Sequence, residues 1–444
     1  MTEGDSLLGQ KRYYLWSIGC QMNRADAVRV GEELERRGYS AVRQPEAADI
    51  IVLNTCVVRQ SAEDRVLGRL SSLRSLKRGA HTPAILVMGC FVDDVGALEV
   101  RFPFVDAFLR PSDVAGLVQF VESRDAGGGD AAQPSSAPED TGLVPISYGC
   151  DHHCTYCIVA LRRGAQRSRS VGEIVSDVER LVERGAREIT LLGQNVDAYG
   201  MDLSLAAACS PGVGRREEPT HPDLADILLA IHDIEPLWRI RFLTSHPGDL
   251  SQRIIEKATS LPKVCECWEL PVQSGDDDLL RRMARGYTIE RFRDLVGRIR
   301  RASPQCAINT DVIVGFPGES ERQFEATLGL VQDLRFDAVH IAAYSVRPGT
   351  AASRWADDVP PGEKERRRAL VEEAQTHIAA EIHAALLGRE VEILVDGRQR
   401  GRWRGRTRTN SLVFFESADD WLGRLAQARI TWTGPWSMLG EVVS

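Results

Sequence analysis

Three thiols lie within eight residues in the run Gly149-Cys-Asp-His-His-Cys-Thr-Tyr-Cys-Ile158. That run constrains the chain more than any other, because the backbone must curl so that Cys150, Cys154 and Cys157 can serve one centre. Thiolates are soft ligands suited to iron–sulfur chemistry. The spacing CxxxCxxC lets a loop wrap three thiolates around one face of a 4Fe-4S cubane. One of the four irons then keeps an open position, where a metal site does its chemistry. The alternative is a structural zinc loop. Zinc takes four ligands, commonly as paired CxxC or CxxC with HxxxH. His152 or His153 would have to be the fourth, and neither spacing follows those patterns.

The remainder of the 444 residues has ordinary globular composition, 43% hydrophobic and 27% charged, so two or three domains are expected. No apolar run is long enough to span a membrane, and residues 1–11 are polar without an apolar signal core, so a cytoplasmic protein is expected. Ten cysteines in such a compartment argue for ligands or redox chemistry before disulfides. The net charge of −8 opposes non-specific nucleic-acid binding by bulk charge, which leaves local basic patches to carry any such role.

An α/β protein with three folded parts is expected. Residues 1–118 alternate strand and helix, with strands predicted at Tyr13–Ile18, Asp49–Leu53 and Ala84–Met88, and read as a small doubly wound domain. Each of these strands runs out just before a cysteine: Cys20, Cys56 and Cys90. Ligands of open α/β sheets gather outside the carboxyl ends of the strands. Three cysteines in that topological position therefore predict a second cluster, against the plainer reading of three buried structural thiols. Residues 119–142 read as a linker of small and polar residues. Residues 143–385 repeat strand and helix in the rhythm of a (β/α) barrel, complete or partial, interrupted at 202–221 by what looks like a peripheral insertion. Cys209, Cys265, Cys267 and Cys306 show no ligand spacing and read as structural or free thiols. Residues 386–444 hold several short strands and predict a small antiparallel β-barrel. Arg398, Arg400, Arg402, Arg404, Arg406 and Arg408 fall on even positions there. Where that run is extended they line one face. Arg402, Arg404 and Arg406 are therefore candidates for a nucleic-acid backbone, against a merely solvated face.

The chain resembles the methylthiotransferase family of radical S-adenosylmethionine enzymes over nearly its whole length. The resemblance rests on Gly19-Cys-Gln-Met-Asn23, Asn54-Thr-Cys56 and Gly89-Cys90 at the N-terminus and on the CxxxCxxC run. It continues in Leu191-Leu-Gly-Gln-Asn-Val196, Thr244-Ser-His-Pro247, Pro271-Val-Gln-Ser-Gly275, Asp311-Val-Ile-Val-Gly-Phe-Pro-Gly-Glu319 and Arg347-Pro-Gly-Thr350. The tail is similar to the TRAM domain, a small RNA-binding barrel. Leu192-Gly-Gln-Asn-Val196 resembles the tRNA branch, whose enzymes convert isopentenyladenosine beside the anticodon to its 2-methylthio derivative. Ala160-Leu161 stands where Pro-Tyr is usual in that branch, and Gln166 where Glu is usual.

The resemblance implies two 4Fe-4S clusters, on Cys150, Cys154 and Cys157 and on Cys20, Cys56 and Cys90, with S-adenosylmethionine both as methyl donor and as radical source. The C–H bond at carbon 2 of adenine is unactivated, so acid–base chemistry has no foothold there and a radical route is required. Tyr156 is a candidate to lie on the cofactor's adenine. Gln194, Asn195, Ser245, Gln273 and Asp311, near predicted strand ends, are candidates for cofactor or substrate contacts. Arg162, Arg163, Arg167 and Arg169 follow the loop and are candidates for RNA phosphates. Expected partners are tRNA and an electron donor such as flavodoxin or ferredoxin, with a monomeric chain. The competing expectations are a methylthiotransferase acting on a ribosomal protein or on threonylcarbamoyladenosine in tRNA, and a zinc-stabilised, non-catalytic RNA-binding protein.

Overall fold

The computed structural model describes residues 11–58, 60–79, 81–125, 141–206 and 221–443. Most of the expected linker, Cys209 and residues 207–220 of the expected insertion lie outside them. The chain divides into two compact units, Met1–Ala137 with Cys157–Ala165, and Pro138–Tyr156 with Gln166–Ser444. The C-terminal barrel thus belongs to the second unit, and the segment that begins at Cys157, the last cysteine of the loop, belongs to the first.

The first unit is a five-stranded parallel sheet in the order β2-β1-β3-β4-β5. Its strands are β1 (Lys11–Ser17), β2 (Tyr39–Ala41), β3 (Ile50–Thr55), β4 (Ala84–Gly89) and β5 (Ala107–Leu109). Strands β3 and β4 are apolar almost throughout and buried at every residue. A central parallel strand reads this way because both its faces are covered. Successive side chains go to opposite faces. Ile51, Leu53, Ile85 and Val87 pack under Val66 and Leu70 of the helix Gln60–Leu73. Ile50, Val52, Leu86 and Met88 pack under Val30 and Leu34 of the helix Gln21–Arg36 and Leu117 and Val121 of the helix Val114–Arg124. This is the doubly wound layer arrangement expected from the sequence, with two short edge strands, β2 and β5, added.

In the second unit β6 (Thr141–Pro145) precedes a short hairpin, β7 (Ser147–Tyr148) with β8 (Arg167–Ser168). Then come β9 (Glu188–Leu192), β10 (Arg239–Leu243), β11 (Cys267–Glu269), β12 (Ala307–Val314) and β13 (Ala338–Ala343). The parallel sheets β10-β9-β6 and β11-β12-β13 are joined by a parallel bridge between Ile240 and Val264. The result is a six-stranded arc, the partial form of the expected barrel, with helices between successive strands. Amphipathic spacing fixes the inner face of each helix. Phe292, Leu295, Val296 and Ile299 of the helix Ile289–Ala302 are buried with Ile308 and Val312 of β12.

The C-terminal part closes β14 (Glu390–Gln399), β15 (Arg402–Thr407), β16 (Leu412–Phe415), β17 (Leu425–Thr433) and β18 (Met438–Val442) into a barrel in the order β14-β15-β16-β18-β17. Its pairs are antiparallel except β16 with β18, which is parallel. Trp403, Val413, Phe415, Ala428 and Ile430 fill it.

Two buried arginines of β10 dock this barrel on the arc. Arg239 donates to the carbonyl of Arg406 at 2.8 Å and to Glu392 at 2.7 Å. Arg241 donates to the carbonyls of Arg408 and Thr407, each at 2.8 Å, and pairs with Glu188 at 3.0 Å. Arg408 returns the contact to Glu266 and to the carbonyl of Val264, both at 2.7 Å. Removing one partner of a buried charge pair leaves the other uncompensated. Arg241→Met should therefore lose about 3–5 kcal/mol, seen as a lowered urea or thermal midpoint. Arg429→Ala, which breaks an exposed pair with Glu390, should change stability by less than about 1 kcal/mol.

Candidate active site

The adjacent strands β1, β3 and β4 end at one level, and one of the first three residues after each end is a cysteine. Cys90 follows β4 directly and Cys56 follows β3 directly; Cys20 lies past Gly19 beyond β1. Asn23 ties the ends together. Its Nδ2 donates to the carbonyls of Ile18 at 2.9 Å and Thr55 at 2.8 Å, while Asn54 Nδ2 donates to the Asn23 carbonyl at 2.6 Å. Thr55 holds β4 through Oγ1 to the Met88 carbonyl at 2.6 Å, and its own carbonyl accepts from the Cys90 N–H at 3.0 Å. Only glycine fits at position 89, where φ is +102° and a Cβ would fall 2.4 Å from the Thr55 carbonyl oxygen. Cys56 and Cys90 are buried and Cys20 is exposed. Burial, and then the charges of Cys90 and Cys20, push the Cys56 thiol up to about 11. Three thiols at adjoining strand ends, reachable from the Cys20 side, are a donor set suited to an iron–sulfur cluster.

Arg163 points at the same place. It is buried, and donates to Asn23 Oδ1 at 2.8 Å and Ser112 Oγ at 3.0 Å, with Asp26 Oδ2 at 3.5 Å. This corrects the expectation that Arg163 meets RNA phosphates, since its guanidinium is turned inward to the cysteine site. Arg162 pairs with Asp93 at 2.9 Å. Arg169 pairs with Asp177 at 2.8 Å, and Arg167 is exposed.

In the second unit, Cys154 is buried and takes a hydrogen bond from Arg285 Nη1 at 3.5 Å. Arg285 also donates to the Pro271 carbonyl at 2.7 Å. Cys150 is half-buried there. Cys157, which belongs to the first unit, is half-buried too, and the Val159 N–H of that unit points at its Sγ from 3.5 Å. His152, between the first two cysteines, donates from Nε2 to Asp249 Oδ2 at 2.5 Å and stacks on His246 with ring centroids 3.7 Å apart. Asn195 Nδ2 donates to the same Asp249 oxygen at 2.6 Å. Burial, with Arg285 nearby, holds the His246 ring below its ordinary range and so neutral.

Gln194, Asn195, Ser245 and Gln273 lie beyond the carboxyl ends of β9, β10 and β11, whereas Asp311 is inside β12 and not at its end as expected. Asn195 is buried, and its Oδ1 has no hydrogen-bond partner among the described residues. Gln194 is half-buried beside it. Ser245 donates to Asp197 Oδ1 at 3.2 Å, and the His246 N–H donates to the other carboxylate oxygen at 3.1 Å. Burial pushes the Asp197 carboxyl up to about 8 against the hydrogen bonds from Ser245 and His246. Gln273 has a left-handed backbone, φ +72°, and extends the sheet by bonding through its N–H to the Asp311 carbonyl at 2.8 Å. Tyr156 packs edge-on against Phe316, centroids 6.5 Å apart.

Residues 12–109 match Uncharacterized protein family UPF0004, residues 144–331 the Radical SAM superfamily, and residues 384–443 the TRAM domain. The chain is 46% identical to the tRNA-2-methylthio-N(6)-dimethylallyladenosine synthase of Roseiflexus sp. (strain RS-1), over 98% of this chain and 90% of that one. It is 45% identical to the synthase of that name from Dehalococcoides mccartyi (strain CBDB1), over 97% of this chain and 98% of that one. The chain belongs to the methylthiotransferase family of radical S-adenosylmethionine enzymes. Among solved structures, the radical S-adenosylmethionine methyltransferase TsrM from Kitasatospora setae, with cobalamin and a [4Fe-4S] cluster bound, aligns with a TM-score of 0.55 at 14% identity. That alignment covers 78% of this chain and 77% of that one, a likeness of fold.

Within this methylthiotransferase, sequence reasoning missed Arg285, which no motif marks, and Asp197 and Asp249, which lie just past the quoted Leu191–Val196 and Thr244–Pro247 runs. His246 had a signal, since it lies in the quoted Thr244-Ser-His-Pro247. The unusual Gln166 has a local reason. Its Nε2 donates to the Ala198 carbonyl at 2.5 Å and faces Asp202 Oδ1 at 3.4 Å. Asp202 in turn accepts from the Ser168 N–H at 2.8 Å and hydroxyl at 2.5 Å. The described start of the expected insertion is therefore tied to the hairpin, not peripheral. Burial works against the Asp202 carboxylate, but the Ser168 donors hold it below its usual range.

A glutamate at 166 would set a second carboxylate against Asp202 and a carbonyl, raising its own folded-state pKa above the unfolded value. The penalty is then absent below the unfolded pKa and complete above the folded one. Gln166→Glu should cost about 1–3 kcal/mol at pH 8, and its melting-temperature deficit against the parent should narrow toward pH 5.

Proposed function

We propose that this chain adds a methylthio group to carbon 2 of N6-isopentenyladenosine next to the anticodon in tRNA, working in the cytoplasm as a monomer with flavodoxin or ferredoxin as electron donor. The observation that carries the reading is identity of 45% or more, over at least 97% of the chain, to synthases of that name, in a chain that has both cysteine sets. Cys150, Cys154 and Cys157 would hold one 4Fe-4S cluster through the loop spacing, and Cys20, Cys56 and Cys90 a second through their place at three strand ends. The donor sets fit, being all thiol with three per site. When bound, the clusters and S-adenosylmethionine supply the radical and the sulfur chemistry that an unactivated C–H bond demands.

The protein's part is positioning. Asp249 holds His152, and with it the loop between Cys150 and Cys154. Arg285 and the Val159 N–H give charge and hydrogen bonds to Cys154 and Cys157, an influence that tunes iron–sulfur sites. Asn195, with a buried oxygen to satisfy, and Gln194, Ser245, Gln273 and Asp311 are assigned to cofactor or substrate contacts, and Tyr156 to the cofactor's adenine. Arg402, Arg404 and Arg406 take outward positions on β15 while Trp403, Gly405 and Thr407 are buried. They are assigned to the RNA backbone together with Arg162. We also propose that residues 1–118, 143–385 and 386–444 act as the sulfur-handling, radical and RNA-binding parts.

Reconstituted protein should hold about eight irons per chain, and Cys150→Ala with Cys154→Ala and Cys157→Ala about four. The corresponding triple replacement of Cys20, Cys56 and Cys90 should still cleave S-adenosylmethionine reductively but form no methylthio product. Mass spectrometry of tRNA nucleosides reads the product. Methylthio transfer to a ribosomal protein or to threonylcarbamoyladenosine instead would overturn the substrate assignment.

The arginine stripe carries its own anions. Arg402 pairs with Glu416 at 2.9 Å, Arg404 with Asp396 at 2.7 Å and Arg406 with Asp396 at 3.7 Å. Phosphate must displace these partners, so each arginine contributes less than a free one. Replacing Arg402, Arg404 and Arg406 together by alanine should weaken tRNA binding and reduce the slope of log affinity against log salt by at most about 3. An unchanged slope returns the stripe to a solvated face.

A further inference from the structure

We propose that Arg163 is the buried counter-cation of the site formed by Cys20, Cys56 and Cys90, and that it raises the reduction potential of the cluster held there. The inference rests on the assignment of that site to a 4Fe-4S cluster. Arg163 ends the short helix Val159–Arg163, six residues beyond the last cysteine of the loop. Its side chain is 3% exposed. A guanidinium so far from water needs a negative charge close by.

The neighbours do not supply enough of one. Asn23 Oδ1 at 2.8 Å and Ser112 Oγ at 3.0 Å are neutral acceptors. The one carboxylate among the described residues, Asp26, is 1% exposed and stands at 3.5 Å, the longest of the three contacts. Its other oxygen, Oδ1, has no hydrogen-bond partner among the described residues. Ser112 adopts a left-handed backbone, φ +61°, at the position from which its hydroxyl bonds Asp26 Oδ2 at 2.9 Å and receives Arg163. Non-glycine residues enter that region at a cost that the surroundings must hold in place.

The remaining charge comes from sulfur. Cys20 Sγ shares the acceptor of Arg163, standing 3.8 Å from Asn23 Oδ1. Cys90, Asp26 and Cys20 are the groups whose charge bears on the guanidinium, and Cys90 also takes a hydrogen bond from it. As thiols they leave Arg163 short of counter-charge. As iron-bound thiolates they supply it. Cys20 then no longer donates, which frees Asn23 Oδ1 for the guanidinium alone. Reduction adds a further negative charge to the cluster, and a fixed cation beside the ligands favours that form. Arginine suits the place because its planar fork can serve Asn23, Ser112, Asp26 and the sulfur side at once.

The test uses the full-length chain with Cys150, Cys154 and Cys157 replaced by alanine, so that one cluster remains. Its potential is titrated by electron paramagnetic resonance of the reduced state. Arg163→Met should load the parent's iron, about four per chain. Its reduced-to-oxidised ratio at a fixed ambient potential should fall at least tenfold, a midpoint lower by about 59 mV for one electron. Arg163→Lys should restore most of the shift. Asp26→Asn, which removes the competing anion and keeps the arginine, should move the midpoint the other way. A methionine variant with full iron and an unchanged midpoint overturns the role of Arg163. Should that variant fail to load iron, an unmoved midpoint in Asp26→Asn overturns it equally. A parent without iron overturns the cluster assignment itself.

Discussion

Strand register in the first unit decides where its chemistry can occur. β1, β3 and β4 are parallel neighbours, with Ser17 opposite Asn54 and Thr55 opposite Gly89. In a parallel sheet the ends of neighbouring strands come out on the same side, so the residues just past them meet without any long loop to guide them. A one-residue slip in any strand would turn the cysteine that follows to the other face. The apolar runs that set the register are therefore also what brings the cysteines together. Asn23, Asn54 and Thr55 then lock the ends through the carbonyls of Thr55, Asn23 and Met88.

Burial has opposite consequences for a thiol and for the thiolate it must become. Cys56 and Cys90 are removed from water, which opposes ionisation. The fold answers with donors aimed at sulfur. The Val58 N–H lies 3.4 Å from Cys56 Sγ and the Val159 N–H 3.5 Å from Cys157 Sγ. Each cysteine set also has one buried arginine of its own, Arg163 beside Cys90 in the first unit and Arg285 beside Cys154 in the second. Among the described residues, Arg163 has Asp26 at 3.5 Å as its carboxylate and Arg285 has none within ion-pair distance. Both positions make sense when the sulfurs carry the charge, and neither is a good place for a cation when they do not.

The sequence made the frame legible because the frame is periodic. Central strands of continuous Ile, Val and Leu, amphipathic helices and cysteines at strand ends are all local patterns, and the three central strands of the first unit could be read from them. Tyr39–Ala41 and Ala107–Leu109 are too short to show a period. At the site, spacing identified the six cysteines as candidates, but Arg163 was misplaced because a basic cluster after a loop looks like a solvated patch. Its burial depends on Asn23, Asp26 and Ser112, residues 51 to 140 positions away in the chain. No local pattern records that. Asp197 and Asp249 were missed for the same reason, since their character comes from His152, Ser245 and His246 in other elements.

The C-terminal arginines show where alternation stops being informative. Period two correctly separates Arg402, Arg404 and Arg406 from the buried Trp403 and Gly405. It cannot say what an outward side chain meets. Arg408 shares their parity, yet it donates to Glu266 and to the carbonyls of Pro262 and Val264, so its charge is spent holding the barrel to the arc. The carbonyls of Arg406, Thr407 and Arg408 are likewise taken by Arg239 and Arg241. One end of the basic run is thus structural and the other end is open to solvent. The change falls where β15 ends, because the carbonyls freed by the end of the ladder are what the buried arginines of β10 can reach.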